Sequence, residues 1–302
     1  MNSEIKKIMV PTDFSETSKM ALAHAAFLSR LLHAELMLVH VQAFDPFYFE
    51  IPEPLLVVQD HSKLDNFIEG KLNELADQVE AEYGLRPRHL TITGHVANEI
   101  MLLAQQEKTD LIIMGTHGAK GFEELFLGSN AHKITELAPC PVLTVQVHSG
   151  KPGFTNIVLP IDRSLHSRQK VGIATSLAKM YGAKIHIFGL LSDAEEENAY
   201  DKLQIVLDQV QDAVENAGVA YTRHTVKGKH LATEALKYGK DVKADLIIIM
   251  TDHESALTGF FMGALAKQIV NHSRIPVLSI KPHYGQFEAL DPTGTNAVFT
   301  PY

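Results

Sequence analysis

IMVPTDFS at residues 8–15 and IVLPIDRS at 157–164 share one pattern, an apolar run closed by Pro-x-Asp-x-Ser, 149 residues apart. Keeping that offset lays HAELMLVHV (33–41) on GAKIHIFGL (182–190). Further along, the offset becomes 135. TDLIIM (109–114) then falls on ADLIII (244–249), Gly128 on Gly263, Ala131 on Ala266, Ile134 on Ile269, and PVLTV (141–145) on PVLSI (276–280). A fixed internal period of this kind is the mark of a duplicated unit. The second copy is 14 residues shorter in its middle. The stretch 44–64, rich in prolines and aromatics, reads as an extra loop of the first copy. HSGKPG (148–153) carries the glycines expected of a linker. The units are thus expected at 1–148 and 154–282, followed by a tail, 283–302.

Each unit alternates strand and helix signals. In the first, IKKIMVPT, ELMLVHV, HLTITG, DLIIM and PVLTVQV are short apolar runs. Between them lie helical patterns such as SKMALAHAAFLSRLLH, with Ala21, Leu22, Ala25, Leu28 and Leu32 on one face, and KLDNFIEGKLNELADQVEAEYG, which stops at Gly84. Continuous apolar strands alternating with helices predict an α/β fold, a parallel sheet covered on both faces. In such a sheet ligands bind beyond the carboxyl ends of the strands. Thr12 and Asp13, Val41, Gly94 and the stretch Gly115–Gly118 should therefore gather at one edge.

The whole-chain properties set the limits. At 302 residues, with 45% hydrophobic and 21% charged content, the chain has material for two globular cores. A formal charge of −9 speaks against a general nucleic-acid binder. It leaves a mononucleotide open, because such sites use backbone amides. The single cysteine, Cys140, excludes an internal disulfide framework and reads as a packing thiol. The N-terminus lacks a signal-peptide pattern, and no run approaches the roughly 18 apolar residues of a membrane span. A cytoplasmic protein is the expectation.

The chemistry concentrates in GTHGAKGFEELFLGSNAHKI (115–134), which follows the strand DLIIM. Glycines let backbone approach a ligand closely, and a helix N-terminus presents unpaired N–H groups to anions. Ser129 and Asn130 would add polar side chains. The same residues also fit a bland account: turns at Gly115 and Gly118, a loop end at Gly128, a helix N-cap at Ser129. Spacing alone leaves the two balanced. Neither a G-x-G-x-x-G fingerprint nor a Walker A loop is present.

Gly115-x-x-Gly118, nine residues, then Gly128-Ser129 resembles the nucleotide-binding signature of the universal stress protein family, G-x-x-G-x9-G-S/T. The opening IMVPTDFSETSKMALAHA, the strand DLIIMGTHG and the ending APCPVLTV are similar as well. The resemblance spans about 4–147, with a divergent copy over about 154–282, and so points to a tandem member. It implies two Rossmann-like units of the adenine nucleotide α hydrolase-like type, each a five-stranded parallel sheet flanked by helices. It also implies ATP as ligand, with Mg²⁺ where the nucleotide carries it. Carried over by position, the site would comprise Pro11, Thr12 and Asp13, Val41, Met114, Gly115, His117 and Gly118, and Gly128, Ser129 and Asn130. For Asp13 the competing role is a helix cap, and for Val41 it is core packing.

The second copy departs from this pattern. Asp162 is retained, but Gly115 becomes Met250, Gly118 becomes His253 and Ser129 becomes Ala264; Gly263 keeps its place. The second copy is therefore expected to bind no triphosphate in the family manner, its site either empty or adapted. No catalytic set stands out. Neither Asp13 nor His117 has an identifiable partner for ATP hydrolysis. The sixteen histidines show no metal spacing, the nearest groupings being His224 with His230 and His117 with His132. An ATP-binding regulatory module with a protein partner is the leading reading. A weak ATPase or autokinase in the same pocket and a non-binding scaffold are the alternatives. Units of the family pair through the last strand, so the two copies would form an internal pseudo-dimer, with a further homodimer left open. The tail has no periodicity and reads as a wrapping or disordered segment.

Overall fold

The computed structural model describes residues 5–43, 61–116, 127–147, 149–150, 152–195, 198–251 and 262–282. The predicted tail and most of the 44–64 loop lie outside them. The first half runs β1 (Lys7–Thr12), α1 (Glu16–Leu32), β2 (Glu35–Ala43), α2 (His61–Tyr83), β3 (Arg88–Gly94), α3 (Val96–Gln106), β4 (Leu111–Gly115), α4 (Ser129–Leu137) and β5 (Val142–Val145). The second half repeats it with β6 (Asn156–Ile161), α5 (Val171–Tyr181), β7 (Lys184–Ser192), α6 (Ala199–Asn216), β8 (Tyr221–Gly228), α7 (Leu231–Asp241), β9 (Leu246–Met250), α8 (Ala264–His272) and β10 (Val277–Ile280). The fold is α/β, two tandem Rossmann-like units.

All ten strands lie in one sheet, ordered β3-β2-β1-β4-β5-β10-β9-β6-β7-β8. Among the described residues the pairs within each half are parallel, and β5 and β10 run antiparallel, with Leu143 opposite Leu278. The two copies thus share their last strands, and each covers the edge the other would leave unpaired. Side-chain ties reinforce the seam. Thr144 Oγ1 donates to the Val277 carbonyl at 3.3 Å, Gln146 Nε2 donates to the Ser273 carbonyl, and the Met262 N–H donates to Glu136 Oε1 at 3.2 Å.

Alternation along the strands builds two faces. Ile8, Val10, Leu36 and Leu38 join α1 and α2 in a core that continues under α5 and α6 of the second half. Met9, Met37, Val39 and Val41 turn the other way, toward α3 and α4. The equivalent face of the second half, under α7 and α8, is a separate cluster. Phe154, beyond the linker, stacks on His24 at 6.1 Å and meets Tyr181 edge-on at 5.1 Å, so the first core is stitched across the halves.

Two details refine the sequence reading. The residues missing from the second half come not only from the 44–60 stretch but also from α2, 23 residues long against 18 in α6. The start of the first helix also differs. α1 begins at Glu16, three residues after Asp13, whereas the second half makes a 3-10 turn at Leu165–Arg168 and starts α5 only at Val171.

Candidate functional site

The order of the strands reverses direction at β1/β4, because the chain lays β2 and β3 on one side of β1 and then crosses to β4 and β5 on the other. A crevice for a ligand opens beyond the carboxyl ends at such a point. Thr12 ends β1 there, buried, with its Oγ1 3.1 Å from Ser18 Oγ and accepting the Phe14 N–H at 3.1 Å. Phe14 takes a left-handed conformation, φ 65°, and its ring lies 4.7 Å from that of His40, whose Nδ1 donates to the Thr12 carbonyl at 2.8 Å. His40 and Phe14 are floor residues of this edge that the motif did not flag.

Asp13 is exposed at the mouth, and its Oδ1 accepts from the Ser15 N–H at 3.1 Å and from Ser15 Oγ at 2.5 Å. Ser15 itself is the N-cap of α1, accepting from the Ser18 N–H at 3.2 Å. The helix-cap role considered for Asp13 therefore belongs to Ser15, and Asp13 braces the cap. Asp162, Ser164 and Ser167 repeat the arrangement: Oδ1 accepts from the Ser164 N–H at 2.9 Å and Oγ at 2.7 Å, and Ser164 Oγ accepts from the Ser167 N–H at 3.2 Å. The Pro-x-Asp-x-Ser pattern is thus a turn-and-cap device in both halves.

Pro11, part-exposed, pairs with Val39. Val41 lies one residue past the last β1–β2 pair, Thr12 with His40, and its side chain packs with Met114 in the α3/α4 core. Both side chains are buried. Gly115 closes β4 with no left-handed φ. Its requirement is space, since a Cβ there would stand 2.9 Å from Thr17 C and Cβ and 3.1 Å from Ser18 N in the first turn of α1. The turn role entertained for Gly115 gives way to this close packing.

His117 and Gly118 lie outside the described residues, so the middle of the glycine motif is read from sequence alone. Its two ends meet directly. Thr116 donates to the Val145 carbonyl at 3.0 Å and accepts from the Gly128 N–H at 2.9 Å, and a Cβ on Gly128 would sit 3.2 Å from the Thr116 oxygen. Gly128, not Ser129, is the N-cap of α4. It offers no capping side chain, and Ser129 and Asn130 follow, exposed, in the first turn. The start of α4, at the carboxyl edge of β1 and β4, thus has no side-chain cap, and a helix N-terminus of this kind presents N–H groups that suit an anion. The second half repeats the clasp: Gly263 donates to the Thr251 carbonyl at 2.9 Å, and Gly263 caps α8. This explains why Gly263 survives where the other motif residues are replaced.

The same edge of the second half is chemically different. A cavity of about 360 Å³ there is lined by Asp162, Arg163, Ser167, Lys170, Glu195 and Met250 among others. Lys170 is 3% exposed and donates to Ser167 Oγ at 3.1 Å. Burial drives its pKa down to about 8, against the pull of the Asp162 charge. Burial would raise the Asp162 carboxyl, but the Lys170 charge and the Ser164 hydrogen bonds outweigh it and hold the group below its ordinary value. Motif reasoning missed Lys170. At the offset of 149 it falls on Ala21, which is fully buried, so extending the repeat past Ser164 exposes a lysine at a core position.

The remaining chemical candidates resolve simply. Cys140 is part-exposed rather than buried, yet burial of its thiol pushes the pKa up to about 12, which disfavours the reactive thiolate. His132 faces Glu136 at 3.7 Å, and His224 stacks on Phe188 and Tyr238 at 5.8 and 5.4 Å. His95 occupies the N-cap position of α3 without a side-chain capping bond. Among the described residues no three His, Cys, Asp or Glu side chains converge as a metal site, and no helix is long and apolar enough to cross a membrane.

Comparison with known proteins agrees with the duplication. The family described as "Universal stress protein family" matches residues 4–146 and again 153–281. Universal stress protein MJ0531 of Methanocaldococcus jannaschii is 34% identical over 47% of this chain and 82% of its own length. Universal stress protein YxiE of Bacillus subtilis is 32% identical over 46% of this chain and 98% of its own. Among solved structures, a universal stress protein from Archaeoglobus fulgidus superposes with TM-score 0.74 at 19% identity, over 93% of this chain and 99% of that one. A putative universal stress protein from Pseudomonas aeruginosa gives 0.67 at 19% identity, over 92% and 94%. These structures share the fold over both halves.

Proposed function

We propose, for a chain that belongs to the universal stress protein family and carries two of its domains in tandem, an ATP-binding regulatory role confined to the first half. The observation that supports it is the junction of Gly115, Thr116 and Gly128. It brings a tightly packed strand end and a helix start without a side-chain cap to the edge where Thr12 and Asp13 emerge. The Gly128 N-cap, with Ser129 and Asn130, and Gly118 from the motif would receive phosphate. The backbone at Val41 and the Thr12–Asp13 turn would receive the nucleoside. Mg²⁺ would arrive with the nucleotide rather than on a preformed protein site.

In the second half the same edge offers Met250 in place of glycine and Ala264 in place of a hydroxyl, so triphosphate binding there is not part of the proposal. The role is binding without turnover, in the cytoplasm, with nucleotide occupancy read by a protein partner. Calorimetric titration of Mg-ATP tests it. One site per chain in the wild type, lost in Gly118→Val, is expected. Two equivalent sites, or heat unchanged in Gly118→Val, would overturn it.

A further inference from the structure

The pocket of the second half carries a chemistry of its own. Lys170 is as buried as the core leucines around it, and an ammonium has three N–H bonds to satisfy. Among the described residues it makes one hydrogen bond, to Ser167 Oγ. The Asp162 carboxylate takes its hydrogen bonds from Ser164 and Ser167 instead. Among the described residues two donors of this buried cation, which lines the cavity, are therefore left without an acceptor, an arrangement that is costly until one fills the place.

The lining restricts what that acceptor can belong to. Arg163 Nε stands 3.0 Å from Glu195 Oε2, so these two charges answer each other. Together with Lys170 and Asp162, the wall holds two cations and two anions beside His166. A phosphate would bring up to two further negative charges against Asp162 and Glu195. It would also find a methionine and an alanine where the first half has Gly115 and Ser129. A plain carboxylate would leave one uncompensated charge in a buried site. A zwitterion leaves none. Its carboxylate can take both Lys170 donors and its ammonium can face Asp162, while Leu190, Ile249 and Met250 supply an apolar wall for an aliphatic body.

We propose that this pocket is a binding site for a small amino-acid-type zwitterion with an aliphatic side chain, its carboxylate held by Lys170 and its ammonium by Asp162. The cavity of about 360 Å³ is large enough for such a molecule and lies at the low end of the range for small-ligand sites. Two of the side chains used here recur in the first half at the matching position, Asp162 as Asp13 and Ser167 as Ser18, and the ones that set the chemistry do not. Lys170 falls on Ala21, Arg163 on Phe14 and Met250 on Gly115. The proposal is therefore independent of nucleotide binding by the first half.

The test is calorimetric titration of the full chain with L-leucine, 4-methylpentanoate and 3-methylbutylamine, the last two each lacking one charged group. L-leucine should saturate one site per chain, with both half-ligands weaker by about tenfold or more. Lys170→Met keeps the length of the side chain and should weaken L-leucine by a similar factor while preserving cooperative unfolding; Asp162→Asn should do the same for the ammonium end. The wild-type series stands even where a variant fails to fold. No saturable heat with L-leucine up to the millimolar range would overturn the proposal. So would equal affinity for 4-methylpentanoate, or binding that survives Lys170→Met.

Discussion

Replacing Gly115 by alanine should weaken the protein in the absence of any ligand. The added Cβ would lie 2.9 Å from two atoms of Thr17 and 3.1 Å from the Ser18 nitrogen, distances at which atoms must move. What it meets is mostly backbone, and that backbone is fixed. Ser15 caps α1, Asp13 braces Ser15, and Ala21, Leu22 and Ala25 anchor the helix in the core. Overpacking of this kind costs about 1–3 kcal/mol. In a unit of about 150 residues that is a fall in melting temperature of roughly 3–10 °C. The assay is thermal unfolding followed by circular dichroism without nucleotide, with Mg-ATP titration of the same variant. The second half explains why a side chain is tolerated at the equivalent place. There the helix start has withdrawn into a 3-10 turn, and Met250 packs against the shared core. Unchanged unfolding in Gly115→Ala, with only nucleotide affinity lost, would refute the packing argument and make this glycine a ligand contact alone.

Three further outcomes follow from the same geometry. Ser15→Ala removes the cap of α1 and the brace on Asp13 and should cost about 1 kcal/mol, seen as a lower denaturant midpoint at unchanged slope. Gly128→Val places bulk against the Thr116 carbonyl, so it should abolish Mg-ATP heat and also lower stability, whereas Gly118→Val should show the affinity loss. Lys170, with a folded pKa of about 8 against an ordinary 10.5, binds its proton more weakly in the native state than in the unfolded one. Wild-type stability relative to Lys170→Met should therefore rise between about pH 8 and pH 10.5, by on the order of 3 kcal/mol, and stay level below pH 8. Chemical denaturation of both proteins across that range checks the sign; a difference that falls with pH would contradict a buried, under-paired ammonium.

The sequence made the architecture legible because strand burial is written in residue type. Runs such as DLIIM and ADLIII are buried on both sides of a parallel sheet and tolerate little else, so the repeat survived there and set the offsets. The pairing of β5 with β10 followed from the family resemblance rather than from residue pattern, since VLTV and VLSI are apolar whether or not they meet. The candidate site was legible only in part, because one residue type served two physical ends. Gly115 and Gly128 look like phosphate glycines in sequence, yet the packing of α1 on one and the Thr116 clasp on the other would require them without any ligand. Asp13 and Asp162 likewise look like paired binding residues, yet both hold a serine cap in place. What separates the halves is the register of the first helix after that cap, set by local turn geometry that no apolar periodicity encodes. Once α5 starts late, the position of a buried alanine can hold a lysine, and the same edge of the sheet acquires a different lining. Retained residues in the second half therefore report on folding, and it is the replaced ones, Lys170 and Met250 above all, that set the chemistry of its pocket apart from the first half.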